Sequence, residues 1–74
     1  MNTKYYIVKA PLGMYVTGVH TSKDFAWQEL VMSRAPGRWE AEKYSTPFFQ
    51  LLQISDKCKE DGFVVVEVEL KEKS

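Results

Sequence analysis

The chain has 74 residues, 45% apolar and 14% aromatic, and its ten basic and ten acidic side chains cancel. That length suits one small domain, the composition is too apolar for a disordered chain, and neither half of the chain is a polybasic arm or an acidic tail. A single cysteine, Cys58, excludes an internal disulfide and fits a reducing cytoplasm.

The domain is expected to span residues 1–74, with 71–74 as a frayed tail. The apolar stretch Tyr5–Val8 is too short for a signal peptide, and no run approaches the roughly 18 apolar residues of a membrane span. A soluble chain with no membrane partner is the expectation. A single core in a chain this short supplies only about 3–5 kcal/mol, so pairing with a second copy is one route to added stability.

Lys4–Lys9 (Lys-Tyr-Tyr-Ile-Val-Lys) has the aromatic and β-branched content of a strand. Pro11 and Gly13 are placed as a turn requires, and Met14–Val19 reads as the returning arm of a hairpin. Gly18 marks a bulge or a close backbone approach within that arm. Thr21-Ser22-Lys23-Asp24 matches a capping box and opens a helix over 22–32, with Trp27, Leu30 and Val31 as its apolar stripe and Arg34 continuing the row. Phe25 and Met32 fall on a nearly opposite row, more apolar surface than one face buries. Ala35-Pro36-Gly37 ends this helix.

Residues 39–45 (Trp-Glu-Ala-Glu-Lys-Tyr-Ser) read as a short strand or as irregular chain. Thr46-Pro47 then opens a second helix, with the hydroxyl at the cap and proline in the first turn. Phe48, Leu51, Leu52, Ser55 and Cys58 follow helical spacing with Ile54 at the margin, and Phe49 points about 100° away from Phe48. Gly62 supplies the left-handed exit. In the last run, Val64, Val66, Val68 and Leu70 share one parity, while Glu67 and Glu69 share the other. That alternation predicts a strand with one apolar and one wet face. Leu51, Leu52 and Ile54 are expected to pack on Val64, Val66 and Val68. The predicted fold is a small α+β domain in ββα(β)αβ order, with a three- or four-stranded, mainly antiparallel sheet and the second helix packed on one face.

Lys-Tyr-Tyr-Ile-Val-Lys, Gly-Met-Tyr-Val, Trp-Glu-Ala-Glu-Lys-Tyr-Ser-Thr before a helix, and Gly-Phe-Val-Val-Val-Glu-Val together resemble small uncharacterised accessory proteins of phages and prophages. The resemblance covers most of the chain apart from residues 21–38. It implies an accessory role in a bacterial host and carries no catalytic residue across.

Candidate chemistry is sparse. His20 is the lone histidine; couples with Ser22, Ser33 or Cys58 are formally available, but no nucleophile motif accompanies them, and a solvated loop histidine is the default. Cys58 lies on the apolar stripe of the second helix, where a thiol behaves as a small hydrophobe. One cysteine and one histidine fall short of the four ligands of a structural zinc site, so no metal and no cofactor is expected. Glu40 with Glu42, and Glu67 with Glu69, would share a face on extended chain; the ordinary reading is a solvated strand face. Tyr5, Tyr6 and Tyr15 could stack bases on the sheet, but without basic clusters nucleic acid is the disfavoured partner.

The surplus is aromatic. Trp27 and Trp39 either complete a thin core or, with Arg34 and Arg38 beside the Pro36-Gly37 turn, serve an interface, since Trp, Tyr and Arg carry interface energy. The expected partner-binding residues are Phe25, Trp27, Met32, Arg34, Arg38, Trp39 and Phe49. The sequence therefore favours a non-catalytic interaction module whose partner is a bacterial host protein or a second copy of itself.

Overall fold

The structure, a computed structural model, describes residues 2–71, with side chains described from residue 4 to residue 69. The elements run β1 (Asn2–Lys9), α1 (Lys23–Ser33), α2 (Glu40–Tyr44), α3 (Phe48–Glu60) and β2 (Val64–Lys71). The fold is α+β, as expected, but among the described residues its regular sheet has two strands rather than three or four. β1 and β2 pair antiparallel, with Tyr5 opposite Val68, Tyr6 opposite Glu67, Ile7 opposite Val66 and Val8 opposite Val65. Lys71 ends β2, so of the expected frayed tail only residues 72–74 remain, and they lie outside the described residues.

The hairpin forms its turn but not a second regular strand. Gly13 N–H donates to Ala10 O at 2.9 Å and Gly13 takes a φ of 97°, a turn built on Pro11 and glycine. The returning arm then touches β1 at two isolated bridges, Tyr15 with Lys9 and His20 with Tyr6. Four residues lie between Tyr15 and His20, two between Tyr6 and Lys9, so the arm bulges. Inside the bulge Thr17 Oγ1 accepts from Val8 N–H at 3.0 Å, replacing a backbone carbonyl of the missing ladder. Gly18 N–H donates to Glu29 Oε2 at 3.0 Å, the close approach its missing side chain permits.

α1 begins one residue later than the capping box implied. Ser22, not Thr21, is the cap, and its hydroxyl accepts from Asp24 N–H at 3.2 Å. Residues 40–44 form neither a strand nor irregular chain but one helical turn, and good helix formers with acids first and Lys43 last account for it. Glu42 Oε2 accepts from Arg38 N–H at 2.7 Å and steadies its start. Two residues apart on a helix are about 200° apart, so Glu40 and Glu42 do not share a face.

α3 is not capped by Thr46. Pro47 is the cap, its carbonyl accepting from Gln50 and Leu51 N–H at 3.0 and 3.1 Å, and Thr46 Oγ1 is buried without a hydrogen-bond partner. The exit is the one expected: Gly62 has a φ of 96°, Gly62 N–H donates to Lys59 O and Phe63 N–H donates to Cys58 O, both at 3.1 Å.

That exit sets the packing. With its N–H tied to Cys58, Phe63 turns toward the helices, and Val65 follows by alternation. The buried cluster is Val8, Ala26, Leu30 and Cys58, with Tyr6, Trp27, Ile54, Phe63 and Val65 packed against it. α1 is therefore the helix that crosses the strands, on the Val8–Val65 face, and α3 packs chiefly on α1, where Trp27 Nε1 donates to Ser55 Oγ at 2.7 Å. The expected docking of Leu51, Leu52 and Ile54 on Val64, Val66 and Val68 does not form: these valines lie on the other face of the ribbon, and Leu52 and Phe48 are exposed.

Candidate interaction surface

The fold separates the seven residues expected to meet a partner. Trp27 is half-buried between α1 and α3 and belongs to the core. Arg34 lies on the α3 side of α1, its guanidinium 4.8 Å from the centre of the Phe63 ring, a cation–π contact that also covers the β2 start. It borders a shallow hollow of about 320 Å³ with Gln50, Ile54, Lys57 and Cys58. Arg38 is exposed and tied through its backbone to Glu42. Trp39 caps α2 with its indole in solvent, and Phe49 projects from the first turn of α3.

Phe25 and Met32 do converge. They line a cleft of about 510 Å³ beside α1, with His20, Glu29, Lys43 and Tyr44 among its walls. Bridging to Tyr6 places His20 on the α1 side of the strands, where Nε2 donates to Glu29 Oε1 at 2.6 Å. A carboxylate accepts, so the contact uses the tautomer that carries its hydrogen on Nε2. Glu29 thus holds both His20 and the Gly18 amide, clamping the bulge to α1. Across the cleft Lys43 Nζ donates to Ser33 O at 3.4 Å, joining α2 to the carbonyl end of α1.

The candidate nucleophiles do not join His20. Ser22 caps α1, Ser33 Oγ donates to Leu30 O at 2.6 Å, and Cys58 is buried in the core. Burial pushes the Cys58 thiol above its ordinary range; the Arg34 charge opposes that rise and Asp61 adds to it. Glu67 and Glu69 do share a strand face, at the end beyond the hydrophobic cluster, where Lys4 Nζ is 3.9 Å from Glu67. Tyr5 and Tyr6 point to opposite faces, and Tyr6 packs against the core with the Lys23 ammonium 5.7 Å from its ring.

Sequence reasoning missed Tyr44, the exposure of Phe48 and the pairing of His20 with Glu29. Tyr44 was legible once 40–44 is helical, because Glu40 and Tyr44 then share a face, and both line the cleft. Spacing alone puts Phe48 on the buried stripe, whereas its ring is exposed. Among the described residues no group of three or more His, Cys, Asp or Glu side chains converges as a metal site would require, and no helix is long and apolar enough to cross a membrane. Comparison with family models, with curated proteins and with solved structures finds no match to this chain.

Proposed function

We propose that this protein is a non-catalytic interaction module that docks a partner protein through the aromatic side chains of α1, α2 and the start of α3. One observation carries the reading: Phe25, Trp39, Tyr44, Phe48 and Phe49 are each between 60% and 73% exposed. Single exposed apolar residues are ordinary, but five large aromatics on three consecutive helices are the chemistry of an anchor surface. Arg38, exposed and next to Trp39 in the chain, supplies charge of the kind that rims such surfaces. The resemblance to phage accessory proteins makes a host protein in the bacterial cytoplasm the expected partner and inhibition or modulation the expected consequence. No observation favours the sheet tyrosines as a base-stacking platform, since Tyr6 is committed to the core.

The test starts with capture from bacterial lysate on immobilised wild-type protein, followed by purification of the captured protein and calorimetry. Trp39→Ala and Phe49→Ala should each weaken binding at least about tenfold with the far-ultraviolet dichroism unchanged, the loss expected for interface anchors. Undiminished binding by both variants would refute the assigned surface. Tight binding of single-stranded RNA or DNA that falls steeply with salt would replace the reading altogether.

A further inference from the structure

Strand alternation and the register put Tyr5, Ile7, Val64, Val66 and Val68 on one face of the β1–β2 ribbon, opposite the face on which α1 packs. Bridging to Lys9 adds Tyr15 to the same face, and the turn at its end exposes Leu12 and Met14. Val64 is 50% exposed, and Tyr5, Val66 and Val68 are only partly covered. Ile7 on this face is already buried, at 8% exposed, so the part left open is Val64 with the partly covered Tyr5, Val66 and Val68 around it.

The size of the molecule points to the missing cover. The chain exposes 5718 Å² at 8.6 kDa, whereas a compact monomer of that mass exposes about 4,700 Å². Its radius of gyration is 13.8 Å, with extents of 45 × 26 × 18 Å, against roughly 11 Å for a compact domain of this length. The excess of about 1,000 Å² belongs to the whole chain, the exposed helix aromatics included, and is large enough to contain the roughly 800 Å² that each partner contributes to a standard stable interface. The charge pattern favours an identical partner. The described side chains of this face include no acid and, at its margin, one base, Lys9. Two copies related by a two-fold axis can therefore stack without opposing like charges. Two twisted ribbons stacked about 10 Å apart form the aligned packing of a sandwich, and each open ribbon gains its second covered face.

We propose that two copies of this chain pack these faces together, with Val64, Val66 and Val68 at the centre of a two-fold interface. The proposal concerns a surface distinct from the aromatic one and stands without it. Sedimentation equilibrium of the full chain over a concentration series should give a mass twice 8.6 kDa. Val66→Lys buries an unpaired charge at the centre and should raise the dimer dissociation constant about 100-fold or more. The Trp39→Ala, Phe49→Ala double variant should remain dimeric. A variant-independent reading comes from methyl NMR of the wild-type protein, in which the Val64, Val66 and Val68 methyls should be shielded from a soluble paramagnetic probe. A monomer at every concentration, or probe-broadened valine methyls within a dimer, overturns the proposal. So does a folded Val66→Lys variant that dimerises as the wild type does.

Discussion

Leu30→Ala tests whether the α1–strand contact is the centre of this fold. Leu30 is 3% exposed and belongs to the cluster with Val8, Ala26 and Cys58. The truncation removes three carbons, about 0.8 kcal/mol each in transfer, and the cavity left behind brings the loss to about 3–4 kcal/mol. A domain of this length holds about 4–11 kcal/mol in all, toward the lower end for a chain with so thin a core. The substitution should therefore remove most of the stability. Phe49→Ala is the internal comparison. Phe49 is 66% exposed, so about a third of a full-burial gain of roughly 1.5–3 kcal/mol is at stake, and alanine's better helix propensity returns about 0.5 kcal/mol. Its expected net loss is about 0.5 kcal/mol. Urea titration at one fixed protein concentration, followed by fluorescence, reads the difference. The Trp27 indole bridges α1 and α3 and reports their separation, whereas the exposed Trp39 changes little. With a slope of about 1 kcal/mol per molar, the Leu30→Ala midpoint should fall about 2.5–3.5 M below that of Phe49→Ala. Equal midpoints would mean that α1 does not anchor the core as described.

Ser55→Ala leaves the Trp27 indole N–H without its acceptor at a half-buried site and should cost about 1 kcal/mol, visible as a lower urea midpoint; an unchanged midpoint would show that water replaces the hydroxyl at no cost. Cys58 predicts an alkaline loss of stability. Burial raises its folded pKa above that of an exposed thiol, so the unfolded chain releases the proton first. The thiol is protonated in both states below about 9, and stability should fall as pH rises from there toward the folded value. Cys58→Ala should remove that part of the slope in urea titrations between pH 8 and 10, and an identical slope in the variant would assign the loss to other groups.

The parts of the fold that were readable are those governed by local chemistry. Pro11 with Gly13 specifies a turn, Gly62 specifies a left-handed helix exit, and both adopt the conformations their neighbours require. The pairing of the last strand with the first was readable because both are rich in β-branched and aromatic residues. What failed was decided over longer range. The returning arm has the composition of a strand, but Thr17 offers Val8 a hydroxyl in place of a carbonyl, and the ladder breaks there. Residues 40–44 are too few for periodicity to separate a helical turn from a strand. Trp27 lies on the apolar stripe of α1, packs against the core and meets the Ser55 hydroxyl, whereas Trp39 stands in a segment too short to show a stripe and stays exposed.

The β2 parity shows why alternation was insufficient. Val64, Val66 and Val68 face one way, yet Phe63 and Val65 face the other, so both sides of the strand start are apolar and the pattern does not choose between them. The Phe63 N–H to Cys58 O bond chooses, by fixing where the strand leaves the helix. Once Phe63 and Val65 take the helix side, the glutamates follow them onto it, beyond the end of the cluster, and the all-valine side must face outward. The same geometry makes the two proposed surfaces compatible. The valine face lies on one side of the ribbon, while α1 packs on the other and carries α3 with it. Stacking two ribbons would therefore leave the aromatic residues of α2 and α3 outward on each copy. A dimer built this way would offer a partner two equivalent docking surfaces, a bivalent arrangement whose gain depends on whether the partner can span both.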